Sequence, residues 1–182
     1  MTLSPKLAAF ALLFMTSLSP ASLAGENGRV NGTEAGAATR TVYSGSCANM
    51  TATNFKTDNS TGASTVSNSF VDVPNSSVSF TQGGSGNGCV IVSFSGESYA
   101  PSGRLLLLQA RLDSSTTASP GTVQFSGDDD ENGNSKWARS HTFNFVFQSV
   151  APGPHFVTIR YRTATGGRRV FMGRHATIVQ HP

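Results

Sequence analysis

The sequence predicts an all-β protein, an antiparallel β-sandwich of jelly-roll type with about eight to ten strands. Three observations predict it. Apolar side chains near the C-terminus recur at every second position: Phe143, Phe145 and Phe147, then Val157, Ile159 and Tyr161, then Val170 and Met172. Ser, Thr, Asn and Gly crowd the connections and only 13% of residues are charged, a composition suited to strands joined by polar turns. No stretch carries a convincing helical period, and no internal repeat occurs.

Taken in order, the first residues carry one lysine, an apolar run from Leu7 to Met15, and small residues Ser22 and Ala24 at cleavage spacing. They read as a secretory signal peptide, residues 1–24, because the run is shorter than the roughly 20 apolar residues a membrane span needs. Residues 25–38 lack periodicity and read as a flexible tail. Residues 39–182 form the predicted sandwich, a size at which one core suffices. Localisation is therefore expected to be secreted, extracellular or periplasmic. Cys47 and Cys89, the two cysteines, are expected to pair in such a compartment. Two buried free thiols are the alternative.

Within 39–182, residues 44–69 read as loop with one short strand near Thr51 to Phe55. Ser69 to Val73 and Ser77 to Thr81 alternate around the turn Pro74-Asn75-Ser76. Gly83 to Gly88 is glycine-rich but precedes the strand Cys89 to Phe94 and contains no lysine, so it reads as a hairpin connection rather than a phosphate loop. Leu105 to Leu112 fits a strand buried on both faces, or one passing under the sheet edge, and Val123 to Phe125 a shorter one. The turns Ala151 to Pro154 and Gly166-Gly167 mark Ser140 to Gln180 as a three-strand meander. An immunoglobulin arrangement is disfavoured because Trp137 does not lie between the cysteines.

The landmarks Phe70-Val71-Asp72-Val73-Pro74, Val90 to Glu97, Ser140 to Phe143, and Val150 to His155 with Val157 and Arg160 resemble those of uncharacterised secreted bacterial β-sandwich domains. In outline these are similar to the jelly rolls of the complement and tumour necrosis factor type. The resemblance covers roughly residues 65 to 180 and implies a self-associating jelly roll. It brings no catalytic residues.

Candidate chemistry is sparse. Asp128, Asp130 and Asn132, followed by Gly133, have the spacing of a calcium loop, but Arg139 stands where a helical site places its bidentate Glu. A sandwich-rim calcium site is one reading; a solvated acidic turn is the other. His141 and His155, at opposite ends of neighbouring meander strands, would lie about 20 Å apart. His175 would lie near His155, on the other face unless Gly173 forms a bulge. Glu97 is placed beyond the end of the Val90–Phe94 strand, and a glycosidase needs a second carboxylate about 5–10 Å away. No nucleophile elbow or spaced triad is present, so the chain is expected not to be an enzyme.

From Asn132 onward every charged side chain is basic. In the meander, Arg160, Arg162, Arg169 and Phe171 fall on the phase opposite the core. With Trp137 they are the candidate ligand-binding residues, suited to a glycan or an anionic surface. A subunit interface or a plain wet surface are the competing readings. Partners are therefore expected to be glycans, anionic surfaces or further copies of the chain, with nucleic acid not favoured and no membrane span. Four Asn-x-Ser/Thr triplets, at Asn31, Asn49, Asn59 and Asn75, matter only in a glycosylating host.

Overall fold

The computed structural model describes residues 46–60, 62–101, 103–127, 138–164 and 167–182, among which there are eleven strands and no helix. The strands are β1 (Ala52–Asp58), β2 (Ala63–Thr65), β3 (Val71–Asp72), β4 (Val78–Gln82), β5 (Gly88–Tyr99), β6 (Leu105–Leu112), β7 (Thr116–Thr117), β8 (Val123–Gly127), β9 (Arg139–Val150), β10 (Gly153–Thr163) and β11 (Val170–His181). The expected leader, tail, acidic segment and Trp137 lie outside the described residues.

All strand pairs are antiparallel and fall into two sheets. In the first, β11 is flanked by β1 and β2 on one side and by β5 on the other, with β9 beyond β5. In the second, β10 is flanked by β3 and β4 on one side and by β6 on the other, with β7 and β8 beyond β6. Short strands that share a neighbour occupy one position each, which leaves four positions per sheet. Counted by position, with β1 and β2, β3 and β4, and β7 and β8 each sharing one, the chain changes sheet at every step except from β6 to the β7–β8 position. This winding is that of a jelly roll, in which no long strand pairs with the strand just before it.

That winding corrects two expectations. The C-terminal meander does not exist: β9 and β11 belong to the first sheet and β10 to the second, so the turn at Ala151 and Pro152 carries the chain across the sandwich. Gly83 to Gly88 likewise joins strands of opposite sheets and is not a hairpin. Glu97 is also relocated, from beyond its strand to the interior of β5. The inside–outside alternation survives unchanged, because it depends on which face is covered and not on which strand covers the edge.

The core sits between the sheets. Val90, Val92, Phe94, Phe145, Phe147, Val170, Met172 and Val179 project from the first sheet against Leu106, Leu108, Ala110, Phe125, Val157, Ile159 and Tyr161 of the second, all buried. Burying each large side chain stabilises by about 1.5–3 kcal/mol. The edges are managed locally. Beside β9, Ser119 exchanges two backbone hydrogen bonds with Val146, of 2.9 and 2.8 Å. At the opposite edge, β1 carries Lys56. The Cys47–Cys89 disulfide, with a Cα separation of 5.3 Å, ties the residues ahead of β1 to β5 across the end of β11.

One irregularity controls the register of the first sheet. Between Met172 and His175 the pairing of β11 with β5 shifts, so that Gly173 and Arg174 together oppose Glu97. Val170 and Met172 face inward before this bulge, and His175, Thr177, Val179 and His181 face inward after it. A side chain on Gly173 would stand 3.1 Å from the Glu97 Cβ, so glycine permits the close approach.

Urea unfolding tests the division between core and surface. Phe94→Ala is expected to cost about 3–5 kcal/mol. Phe55→Ala, at a side chain 71% exposed, is expected to change stability by less than about 0.5 kcal/mol. Reduction of the disulfide, whose cysteines are 42 residues apart, is expected to cost about 4 kcal/mol.

Candidate binding surface

The residues expected to bind a ligand are not brought together. Arg160 and Arg162 lie on β10 in the second sheet, whereas Phe171 lies on β11 in the first and Arg169 just ahead of it. Both β10 arginines are engaged within the chain. Arg160 Nε donates to Asp72 Oδ1 at 2.9 Å and its Nη2 to the Phe70 carbonyl at 2.6 Å. The Arg162 guanidinium stacks 5.1 Å from the Phe70 ring centroid, and its Nη1 donates to the Asn68 carbonyl at 3.3 Å. Together they fasten the segment that crosses from β2 to β3 onto β10. Asp128, Asp130, Asn132 and Trp137 lie outside the described residues; among those described, no cluster of three His, Cys, Asp or Glu side chains is placed to hold a metal ion.

A different surface emerges on the outer face of the first sheet. The registers align three rows of four side chains: Thr53, Gln180, Ile91 and Val146; Phe55, Ile178, Ser93 and Asn144; Thr57, Ala176, Ser95 and Thr142. None of these twelve positions is charged. Phe55 stands 71% exposed on β1, beside Ile178. The Ser95 and Thr142 hydroxyls share a 2.8 Å hydrogen bond and so satisfy each other. Toward one end the rows meet a cleft of about 640 Å³ lined by Cys47, Cys89, Ile91, Ser119, Val146 and Gln148. Toward the other they meet Arg174 and Glu97, 3.9 Å apart, and the Phe171 and Tyr99 rings, 5.8 Å apart, beside a cleft of about 440 Å³.

The sequence held half of this signal. The alternation of Val90, Val92 and Phe94 with Ile91, Ser93 and Ser95 is legible, but which strands flank it is not, because the flanking strands are distant in the chain. A meander instead gathers Arg160, Arg162, Arg169 and Phe171 into one surface.

The histidines occupy two places. Near the β9–β10 turn, His155 Nδ1 lies 2.7 Å from Asp113 Oδ2, and its Nε2 lies 2.8 Å from the Ala151 carbonyl. The same carboxylate accepts the Phe156 amide at 3.0 Å. The Phe80 ring lies tilted against both His155, 5.6 Å away, and His181, 4.9 Å away. His175 is not beside His155 as counting back along a meander requires; it pairs with Gly96 and Asp58, and the bulge turns it inward. His141 pairs with Gly96 from the other side.

Two ionisable groups are tuned by these contacts. The hydrogen bond to the Asp113 carboxylate, opposed by desolvation and aided by the Ala151 carbonyl, raises the His155 pKa above 6.5. Both ring nitrogens face acceptors, so the imidazolium satisfies both. Asp58 is held at about 2, below its usual 3.8, first by the Asn75 side-chain amide at 3.0 Å and then by the Ser60 amide at 2.8 Å. No protein-family model matches the chain, and no curated protein matches it.

These shifts fix the sign of the pH dependence. The His155 contribution is fully present below pH 6.5 and is lost as pH rises through the raised value. The wild type's advantage in melting temperature over Asp113→Asn should therefore shrink as the solution is made alkaline. The Asp58 contribution is present above pH 3.8 and falls away as pH drops toward about 2. Asp58→Asn should remove the part of acid destabilisation that falls in that window, as measured by thermal melts.

Proposed function

We propose that the chain is an exported, non-enzymatic jelly roll that acts outside the cytoplasm as a binding or self-associating module, meeting its partner through the outer face of the first sheet. The leader pattern of residues 1–24 and the Cys47–Cys89 disulfide support the oxidising location. The observation that carries the contact surface is the block of three uncharged rows with Phe55 standing out from it. Interface cores are depleted in charge and enriched in aromatics.

Area decides what such a face can hold. Four strands spaced about 4.8 Å apart and about six residues of length give roughly 400 Å², half of the approximately 800 Å² per partner of a lasting interface. The uncharged rows alone suit a transient contact or a small ligand. The full length of the strands, out to Phe171 and Tyr99, doubles the area and suits a second copy of the chain. The resemblance to complement and tumour necrosis factor-type jelly rolls implies self-association and so favours this larger contact; a trimer-forming structural protein, with the Phe171 face covered by a neighbour, is the alternative form.

A second reading, a carbohydrate-active domain, is favoured by the cleft where the Phe171 and Tyr99 rings adjoin Glu97. Aromatic faces stack on sugars, and the carboxylate would serve as a hydrogen-bond acceptor for hydroxyls or, with a second carboxylate, in hydrolysis.

Sedimentation velocity across a concentration series, with a glycan array on the same sample, tests the proposal. Wild-type protein should associate or bind, and Phe55→Glu should weaken that contact without lowering the melting temperature. A monomer at every concentration that also ignores glycans would overturn it. Glycan turnover abolished by Glu97→Gln would establish the carbohydrate-active reading in its place.

A further inference from the structure

The inner face of the first sheet contains a polar patch that the surface above does not use. One register row crosses all four strands: Asp58 on β1, His175 on β11, Gly96 on β5 and His141 on β9. His175 is 8% exposed, and the Nε2 atoms of both His175 and His141 are buried with no hydrogen-bond partner. Ser98 Oγ and Thr177 Oγ1, one pairing step to either side on the same face, are buried and unpartnered as well. Buried polar atoms are almost always paired, and an orphan carries its full desolvation cost. Four such atoms gather in one patch, a local concentration of donors and acceptors that the chain itself does not pair.

The donors around Gly96 define its chemistry. A Cβ on residue 96 would stand 3.1 Å from the Met172 Sδ and 3.1 Å from the His175 Cβ, so the thioether hangs directly over the glycine. The two histidines flank that position from adjacent strands, about 10 Å apart at the backbone. Two imidazole side chains are long enough to reach one ion placed over the intervening glycine across such a gap. His175 Nδ1 donates to the Gly173 carbonyl at 3.1 Å, which leaves the lone pair of the neutral ring on Nε2. A backbone carbonyl orients metal-binding histidines in this way. Phe94 and Phe125 wall the patch, with ring centroids 5.6 Å from His175 and 5.4 Å from His141 respectively.

We propose that His141 Nε2, His175 Nε2 and Met172 Sδ form a binding site for a soft monovalent cation, copper(I) in kind. Two imidazoles and a thioether are the donor set that selects copper(I). An apolar enclosure penalises a single charge far less than a double one, and the Asp58 carboxylate in the same row supplies a counter-charge. His141 is half-buried on β9, at the side of the sheet, and gives the ion its way in. The Gly173 bulge is part of the device, since without it His175 faces solvent. The proposal is independent of what the outer face binds.

The test uses untagged, disulfide-intact protein titrated with silver(I) as a redox-silent probe, followed by copper(I) in competition with a chromophoric chelator. One ion per chain is expected, together with a raised melting temperature. His141→Ala and His175→Ala should abolish binding. Met172→Leu, which keeps the core volume, should weaken it by at least the roughly tenfold that loss of an outer-shell partner costs. Because the alanine variants could fail to fold, imidazole nitrogen NMR of the wild type provides a second measurement. Silver(I) should move the Nε2 resonances of His141 and His175 and leave those of His155 and His181 in place. Absence of stoichiometric binding, which would assign the patch to ordered water, overturns the proposal; so does a response confined to His155 or His181.

Discussion

The bulge at Gly173 and Arg174 is the constraint on which the first sheet depends. Strand β11 is hydrogen-bonded on both sides and has to supply core side chains along its whole length. Strict alternation beginning from Val170 and Met172 would turn Arg174, Ala176 and Ile178 inward and expel His175, Thr177 and Val179. Burying Arg174 without a partner would cost several kcal/mol. Two residues of β11 opposite Glu97 alone reverse the phase, and the Arg174 guanidinium stays outside, 3.9 Å from the Glu97 carboxylate. Ile178 joins the outer face and His175 the inner one for this single reason.

The two sheets divide their tasks. The second carries Arg160 and Arg162, which hold the β2–β3 crossing in place, and His155, which joins Asp113 to the β9–β10 turn. The first offers an outer face whose central rows are uncharged and an inner patch that holds the unpartnered Ser98, His141, His175 and Thr177 atoms. Well-packed apolar residues would replace Ser98, His141 and Thr177 at lower free energy.

Much of the strand pattern was legible in the sequence, and little of the pairing was. Period-two alternation separates the inside from the outside, so Phe145, Phe147, Val157, Ile159 and Tyr161 are read as core and are buried, while Phe143 packs only partly buried against them. Leu105–Leu112 was bounded at both ends by turn residues and coincides with β6. Alternation says nothing about which sheet a strand joins, and Pro-Gly turns serve a hairpin and a cross-sheet corner equally well. The meander reading followed from that degeneracy, and it misplaced His175 and assembled Arg160, Arg162, Arg169 and Phe171 on one face. The row through Gly96 joins residues from 58 to 175 and is visible only once register is known. The cysteine pair was legible because two cysteines in one chain have a single intramolecular pairing.

The phase reversal in β11 is the claim from which the surface and the inner row both follow, and thiol labelling measures it directly. Single cysteines are placed at positions 171, 172, 174, 175 and 177, with Cys47–Cys89 left oxidised, and their native-state labelling rates are compared. Phe171→Cys and Arg174→Cys should react quickly, while Met172→Cys, His175→Cys and Thr177→Cys should be protected. Protection at 172 and 174 together with rapid labelling at 175 and 177 would mean that the strand runs without a bulge, and would contradict both the outer surface and the inner site.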